Sequence, residues 1–169
     1  TKSTIAAMQI KSVGKNLFDG DTIRPHNQTG NVKWSNGVLE YKRINPNTYS
    51  GALVKVKLEK GCTYRLNYVD NPVDGAYYKQ LLNSNLKFVS WIHGKTTFTA
   101  TEENMYIFFT RGAVDSSFGV TLSNIQLEKG DTPTEYEPYK ESTAYITAKK
   151  DNKIVNLISH EDIADEINI

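Results

Sequence analysis

Apolar and polar side chains alternate along much of the chain with a period of two, which indicates β-strands with one buried face. In the segment 52–58, Val54 and Val56 share one side, whereas Lys55 and Lys57 share the other. The pattern therefore predicts strands that each show one face to water.

A second alternating segment, 63–69, places Tyr64, Leu66 and Tyr68 on one side. It follows the segment 52–58 after a short polar turn containing Gly61. Two alternating runs separated by a glycine-containing turn are typical of a β-hairpin. The sequence therefore predicts that these two strands pair side by side.

The run Met105–Phe109 is almost continuously apolar, which predicts a central strand buried on both faces. Between residues 16 and 128 we count about eight to ten short strands, with turn signals every 8–12 residues or so. This spacing favours an all-β sandwich over a fold of alternating strands and helices.

The character of the chain changes after Pro138. Segments 143–148 and 153–158 predict a hairpin, and Ser159 is placed to cap a short helix that carries Ile163 and Ile167 four residues apart.

We therefore divide the chain into three segments. Residues 1–12 are a linker or connecting strand, residues 13–140 are the main module, and residues 141–169 are a short C-terminal extension or linker.

Charge and cysteine content narrow the classes of partner. Lys and Arg total 20 and Asp and Glu total 19, so the formal net charge is +1. This balance gives no reason to expect nucleic acid, an anionic membrane or a polyacidic ligand. Cys62 is the single cysteine, so no internal disulfide can form, and we expect a buried thiol. No membrane span or signal peptide is visible, and a chain that begins at Thr1 is read as a fragment of a longer protein.

Catalytic patterns are weak. Neighbouring carboxylates occur as Asp19 and Asp21, Glu102 and Glu103, and Glu135 and Glu137. Two carboxylates that point the same way on a strand do not flank a glycosidic bond as glycosidases require. The three histidines have no zinc-binding spacing, and no phosphate-binding loop is present. We predict that the chain is not an enzyme.

Aromatic residues beside polar loop residues are more informative. Sugar rings present apolar C–H faces that stack on aromatic planes, while polar side chains bond their hydroxyls. The candidate carbohydrate-binding residues are Trp34, Tyr49, Tyr78, Trp91 and Arg111. For Trp34 and Trp91, a place in the core explains the sequence as well as a place in a binding site does. A surface salt bridge is the alternative role for Arg111.

Asp19 and Asp21 are the candidate metal ligands, because loop carboxylates and backbone carbonyls are the hard oxygen donors that calcium prefers. The alternative is that both are ordinary turn aspartates.

Two motifs bracket the β-rich region: Gly14–Asp19 at its start and Asn124–Tyr139 at its end. Together with Lys57–Tyr64 they resemble the galactose-binding-like jelly-roll modules of tail, baseplate and minor structural proteins of phages and prophages of Gram-positive bacteria. Similar modules accompany polysaccharide-degrading enzymes as carbohydrate-binding domains. The resemblance covers residues 13–139.

The resemblance implies a jelly-roll β-sandwich and a non-catalytic role in adhesion to cell-wall polysaccharide or another host surface glycan. It implies a virion tail or baseplate location, with other tail proteins and further copies of this chain as partners. In related modules a late Asp helps to hold a structural calcium, and this chain has Ser123 and Asn124 there instead. Two other roles stay open: a structural spacer or oligomerisation unit of the tail, and a wall hydrolase.

Overall fold

The computed structural model describes residues 6–72, 77–92, 97–148, 153–158 and 163–168. These residues form fourteen strands and a 3₁₀ turn at Gly20–Thr22, and they include no helix that is long and apolar enough to cross a membrane. In chain order the strands are β1 (Ala6–Val13), β2 (Arg24–His26), β3 (Val32–Ser35), β4 (Val38–Tyr41), β5 (Gly51–Lys57), β6 (Thr63–Pro72), β7 (Tyr77–Leu82), β8 (Phe88–Trp91), β9 (Thr97–Thr99), β10 (Asn104–Arg111), β11 (Val120–Lys129), β12 (Glu141–Ala148), β13 (Lys153–Ile158) and β14 (Ile163–Asn168).

The chain divides into two compact units. One unit is Lys15–Tyr139, and the other combines Thr1–Gly14 with Lys140–Ile169. The first unit contains two five-stranded antiparallel sheets. We call the sheet with strand order β2-β5-β10-β7-β8 the front sheet, and the sheet with order β3-β4-β11-β6-β9 the back sheet. The second unit contains the terminal sheet, with order β1-β12-β13-β14.

The front and back sheets pack face to face, which confirms the predicted all-β sandwich. Val54 and Ile107 of the front sheet and Leu66 and Leu122 of the back sheet belong to one buried cluster. Strand β10 lies between β5 and β7, so the predicted central strand is confirmed. Its alternate residue Phe108 belongs to a second, smaller cluster on the outer face of the front sheet.

The predicted hairpin between β5 and β6 is wrong. Strand β5 lies in the front sheet and β6 in the back sheet, so the turn around Gly61 crosses from one layer to the other. Alternation determines which side chains point inward, but it does not choose the neighbouring strand. Val54 and Tyr64 both reach the core, and they do so from opposite sheets.

In the terminal sheet, β12 and β13 pair as the predicted hairpin, and β1 pairs with the other edge of β12. The predicted helix is wrong, because Ile163–Asn168 forms β14 and pairs with β13. Ser159, its expected cap, lies outside the described residues. A spacing of four is also two strand repeats, so Ile163 and Ile167 fit a strand equally well, and β-branched residues favour one.

The bracket motifs form a closing structure for the sandwich. The buried Asn16 donates from its Nδ2 to the carbonyls of Ile125 and Glu137, at 3.0 and 2.8 Å. Its Oδ1 accepts from the backbone N–H groups of Phe18 and Leu127, at 3.0 and 3.1 Å. One carboxamide thus joins the first segment of the unit to its last long strand.

Two further buried side chains hold the segment that follows β11. The Glu128 carboxylate accepts from the backbone and hydroxyl of Thr134, at 3.0 and 2.6 Å, and from Gln126 and Asn67. Gln126 accepts from the backbone N–H of Glu137 at 2.8 Å. Burial alone would raise the pKa of Glu128, but the hydrogen bonds from Thr134 and Gln126 outweigh it and lower that pKa. We call Asn16, Gln126, Glu128 and Thr134 the clasp.

Replacing Asn16 should strongly destabilise the sandwich. Asn16→Ala leaves one buried carbonyl, one partly buried carbonyl and two buried N–H groups without their partner, and we expect a loss of about 3 kcal/mol in the free energy of unfolding. Urea unfolding followed by circular dichroism measures this loss. The control is Asn85→Ala, an exposed asparagine, which should change stability by less than about 0.5 kcal/mol. Equal stability of the two variants would show that the clasp is not needed.

Candidate functional site

Four aromatic side chains from separate parts of the chain meet on the outer face of the front sheet: Tyr49, Tyr78, Phe88 and Trp91. We call them the aromatic patch. The ring centroids of Tyr78 and Trp91 lie 5.7 Å apart, and Tyr49 lies 6.4 Å from Tyr78 and 6.1 Å from Trp91. Tyr49, Phe88 and Trp91 are 38%, 53% and 40% exposed. Their edge-to-face contacts fix the rings relative to one another while leaving ring surface open to solvent.

The central strand β10 leaves room for these rings. Tyr49 precedes β5 and Tyr78 lies on β7, so they approach from either side of β10. Between them lie two small residues, Thr110 on the outer face of β10 and Gly112 just after the strand. The Thr110 hydroxyl is buried against the Ser50 carbonyl at 2.7 Å, and a Cβ on Gly112 would lie only 3.0 Å from the Tyr78 ring.

A β-bulge brings Phe88 into the patch. Strict alternation along β8 would place Phe88 and Trp91 on opposite faces, because they are three residues apart. The pairing of β8 with β7 shifts by one residue between Leu81 and Leu82, which turns Phe88 to the face of Trp91. Their centroids lie 5.6 Å apart. Sequence alternation alone therefore misses Phe88 as a member of the site.

Arg43 supports the patch from below. Its guanidinium carbon lies 4.3 Å from the Tyr49 ring centroid, and its nitrogens donate to the carbonyls of Asn45, Pro46, Thr48 and Gly112. Burial of a charge is tolerated here because several carbonyl oxygens and one ring face surround it. Arg43 therefore holds the Tyr49 loop against the end of β10.

A shallow groove of ≈ 560 Å³ runs along the loop beside Tyr49 and is lined by Pro25, Asn27, Gln28, Thr29 and Ile44. Asn27 connects this loop to the patch, because its Nδ2 donates to the Tyr49 carbonyl at 2.6 Å. The Oε1 of Gln28 is buried and accepts no hydrogen bond within the part of the chain that the structure describes. The groove thus adds amide groups to the apolar surface of the patch.

Trp34, the fourth predicted aromatic, lies away from the patch. Its ring packs edge-on against Phe18 at 6.0 Å and fills the space above Gly20, where any Cβ would overlap it. Its Nε1 donates to Asp21 at 3.3 Å. Trp34 is half-buried against the core, and its contacts are those of a packing residue.

Arg111 does not lie at the surface as a sugar contact would require. It ends β10 on the core-facing side and is 1% exposed. Its Nε pairs with the Asp115 carboxylate at 2.8 Å, and Gly119 leaves the space that its guanidinium fills. The parity of β10 explains this placement, since Arg111 follows Ile107 and Phe109 at two-residue intervals.

Asp19 and Asp21 both have structural partners. The Asp19 carboxylate accepts from the Asp21 backbone at the start of the 3₁₀ turn, at 3.1 Å, and Asp21 accepts from Trp34. Among the described residues, no group of three or more His, Cys, Asp or Glu side chains is placed to hold a metal. Calcium binding by Asp19 and Asp21 stays a prediction from the sequence.

No family model, no curated protein and no solved structure matches this chain. The resemblance carried by the bracket motifs therefore remains a prediction.

Lys79 lies directly behind the patch, on the core-facing side of β7. Its ammonium donates to the Tyr68 hydroxyl at 2.5 Å and sits 4.7 Å from the Tyr68 ring centroid. Burial lowers the pKa of Lys79 to about 8, against a smaller opposing effect from the Asp70 carboxylate. The buried amine is thus a pH-sensitive element of the fold.

Stability should rise with pH because of Lys79. Between about pH 8 and pH 10.5 the unfolded chain holds the Lys79 proton and the folded chain has released it, so unfolding becomes less favourable as pH rises. The difference in pKa corresponds to about 3 kcal/mol. Urea unfolding at pH 7 to 10.5 should show this rise, and Lys79→Met should remove it. The exposed Lys87→Met is the control and should retain it. Parallel pH profiles for the wild type and Lys79→Met would contradict the assignment.

Proposed function

We propose that this chain is a non-catalytic carbohydrate-binding module of a phage or prophage tail or baseplate protein. It would adhere to cell-wall polysaccharide or another host surface glycan. The observation that carries the proposal is the aromatic patch, in which Tyr49, Tyr78 and Trp91 meet although they are distant in sequence. The bracket motifs support the phage setting through their resemblance alone.

The patch has the properties that sugar binding needs. Partly exposed rings offer planes for the apolar faces of sugars, and their contacts with one another reduce the entropy lost on binding. The amides of Asn27 and Gln28 in the adjoining groove supply hydrogen-bonding groups for hydroxyls. A single site of this size binds weakly, and many copies on one virion would raise the avidity.

Removing a patch ring should weaken saccharide binding. For Trp91→Ala and Tyr49→Ala we expect affinity to fall about tenfold each, equivalent to about 1.4 kcal/mol, because each loses a stacking plane. A glycan array probed with the multimerised chain identifies the ligand, and calorimetry with that glycan measures the loss.

The matched control is Tyr136→Ala, which removes an equally exposed aromatic residue, 39%, outside the patch. Its affinity should equal that of the wild type. No binding to any host wall saccharide by the multimerised chain would count against the function, and an equal loss in Tyr136→Ala would count against the patch.

The second candidate function is that of a structural spacer or oligomerisation module of the tail. An exposed apolar face of the terminal sheet favours it. Met8 and Ile10 lie two residues apart on β1, so they share a face, and they are exposed there opposite Ile146 and Ala144. An apolar sheet face in contact with water is a common site of association between copies of a chain.

If copies of the chain associate through this face, the average molecular mass in solution should increase with protein concentration. Met8→Ser with Ile10→Ser should abolish this dependence, because the pair contributes the exposed apolar surface. Val13→Ser is the control, since Val13 is exposed on the opposite face of β1. Light scattering measures the mass, and a monomeric wild type at all concentrations would exclude this role.

A further inference from the structure

Charge is distributed unequally between the two sheets of the sandwich. The strands of the front sheet carry five Lys or Arg and no Asp or Glu, namely Arg24, Lys55, Lys57, Lys79 and Arg111. The strands of the back sheet carry three of each sign. Although the whole chain has a net charge of +1, the strands of the front sheet carry a net positive charge and those of the back sheet carry none.

Two of these cations lie on the solvent face of the front sheet, around one ring. Arg24 on β2 is the cross-strand partner of Leu53 on β5, whose side chain is on the outer face. Lys55 lies two residues after Leu53 on β5, so Arg24 and Lys55 both project outward. Arg24 lies 5.7 Å from the Tyr106 ring centroid, and Tyr106 is the cross-strand partner of Lys55. Both cations are exposed.

Neither cation is neutralised within the described part of the chain. Arg24 and Lys55 take part in none of its salt bridges, whereas Lys33 of the back sheet pairs with Glu40 at 3.0 Å. Of the remaining front-sheet cations, Lys57 faces Glu103 at 3.6 Å, and Arg111 is paired inside the core. Arg24 and Lys55 therefore remain available to an external anion.

These cations lie in line with the aromatic patch. The register connects Arg24 to Leu53, then Phe108, Gln80 and finally Trp91, which is one row across all five strands. Four interstrand steps span about 19 Å. The row runs from a cationic end to an aromatic end and is long enough for several sugar units.

We propose that the ligand of the front sheet is an anionic polysaccharide, lying across the strands with its sugars on the aromatic patch and its acidic groups at Arg24 and Lys55. This rests on the proposed carbohydrate-binding function and adds the charge of the ligand. The shared chemistry is a carboxylate or phosphate on a glycan chain, which a guanidinium binds through two parallel hydrogen bonds and an ammonium as a point charge.

The test compares one polymer in two charge states. Polygalacturonate should bind the full chain at least tenfold more tightly than the same polymer with its carboxylates methyl-esterified. A wall polymer with glycerol phosphate groups, before and after their removal, provides the phosphate arm. The preference for the acidic form should shrink between about 0.05 and 0.5 M NaCl, because salt screens exposed charges.

The double variant Arg24→Gln with Lys55→Gln should lose the preference for the acidic form and bind the neutral form as the wild type does. The control, Lys33→Gln with Lys60→Gln, removes the same net charge elsewhere and should keep the preference. Equal binding of acidic and neutral polymers by the wild type would overturn the inference and leave the proposed function standing.

Two other results separate the remaining explanations. Polyglutamate that binds as tightly as polygalacturonate would overturn the inference, since it would show attraction to charge without recognition of sugar. Absence of binding to any acidic or neutral glycan would overturn the inference together with the proposed function. A preference for only the carboxylate or only the phosphate polymer supports the inference and names the acidic group.

Discussion

The sandwich depends on the buried hydrogen bonds of Asn16. Two facing sheets with apolar interiors pack without strong directional preference, because hydrophobic contacts are non-directional. The hydrogen bonds of the Asn16 carboxamide are directional. They fix the first segment of the sandwich against β11 and the segment after it, through four backbone groups. Glu128 and Gln126 then hold the segment after β11 against the same strand. The bracket motifs are thus explained by closure of the fold, and their residues lie apart from the aromatic patch.

The front sheet carries buried apolar residues on both of its faces, and its outer face also carries the exposed cations Arg24 and Lys55. Its inner face contributes Val54 and Ile107 to the main core, and its outer face buries Leu53, Leu82 and Phe108 against Leu86 and Tyr106. A group of exposed apolar rings on a protein surface often marks a place where a ligand or partner binds. This arrangement is the physical basis for placing function on the front sheet.

Buried charge in this protein serves structure. Arg43, Lys79 and Arg111 are all nearly inaccessible to solvent, and each has polar or aromatic partners within contact distance. Arg43 contacts the Tyr49 ring, and Lys79 follows Tyr78 on β7 and faces the core. The same residue types on the outer face, Arg24 and Lys55, have no described carboxylate partner.

Local patterns were sufficient to predict the all-β class and the terminal hairpin, because a period of two indicates which face of a strand is buried. The continuous apolar run Met105–Phe109 was sufficient to predict the central strand. The same patterns could not choose neighbours, so β5 and β6 were predicted to pair, and Ile163 and Ile167 suggested a helix. Tyr49, Tyr78 and Trp91 were named from the sequence as separate candidates, but their meeting depends on strand order. Phe88 lies beside them only because a β-bulge in β8 turns it to the same face. Arg111 is buried because it shares the core-facing side of β10 with Ile107 and Phe109. The net charge of +1 gave no sign of a cationic surface, because it sums charges that the tertiary structure distributes unequally between the two sheets.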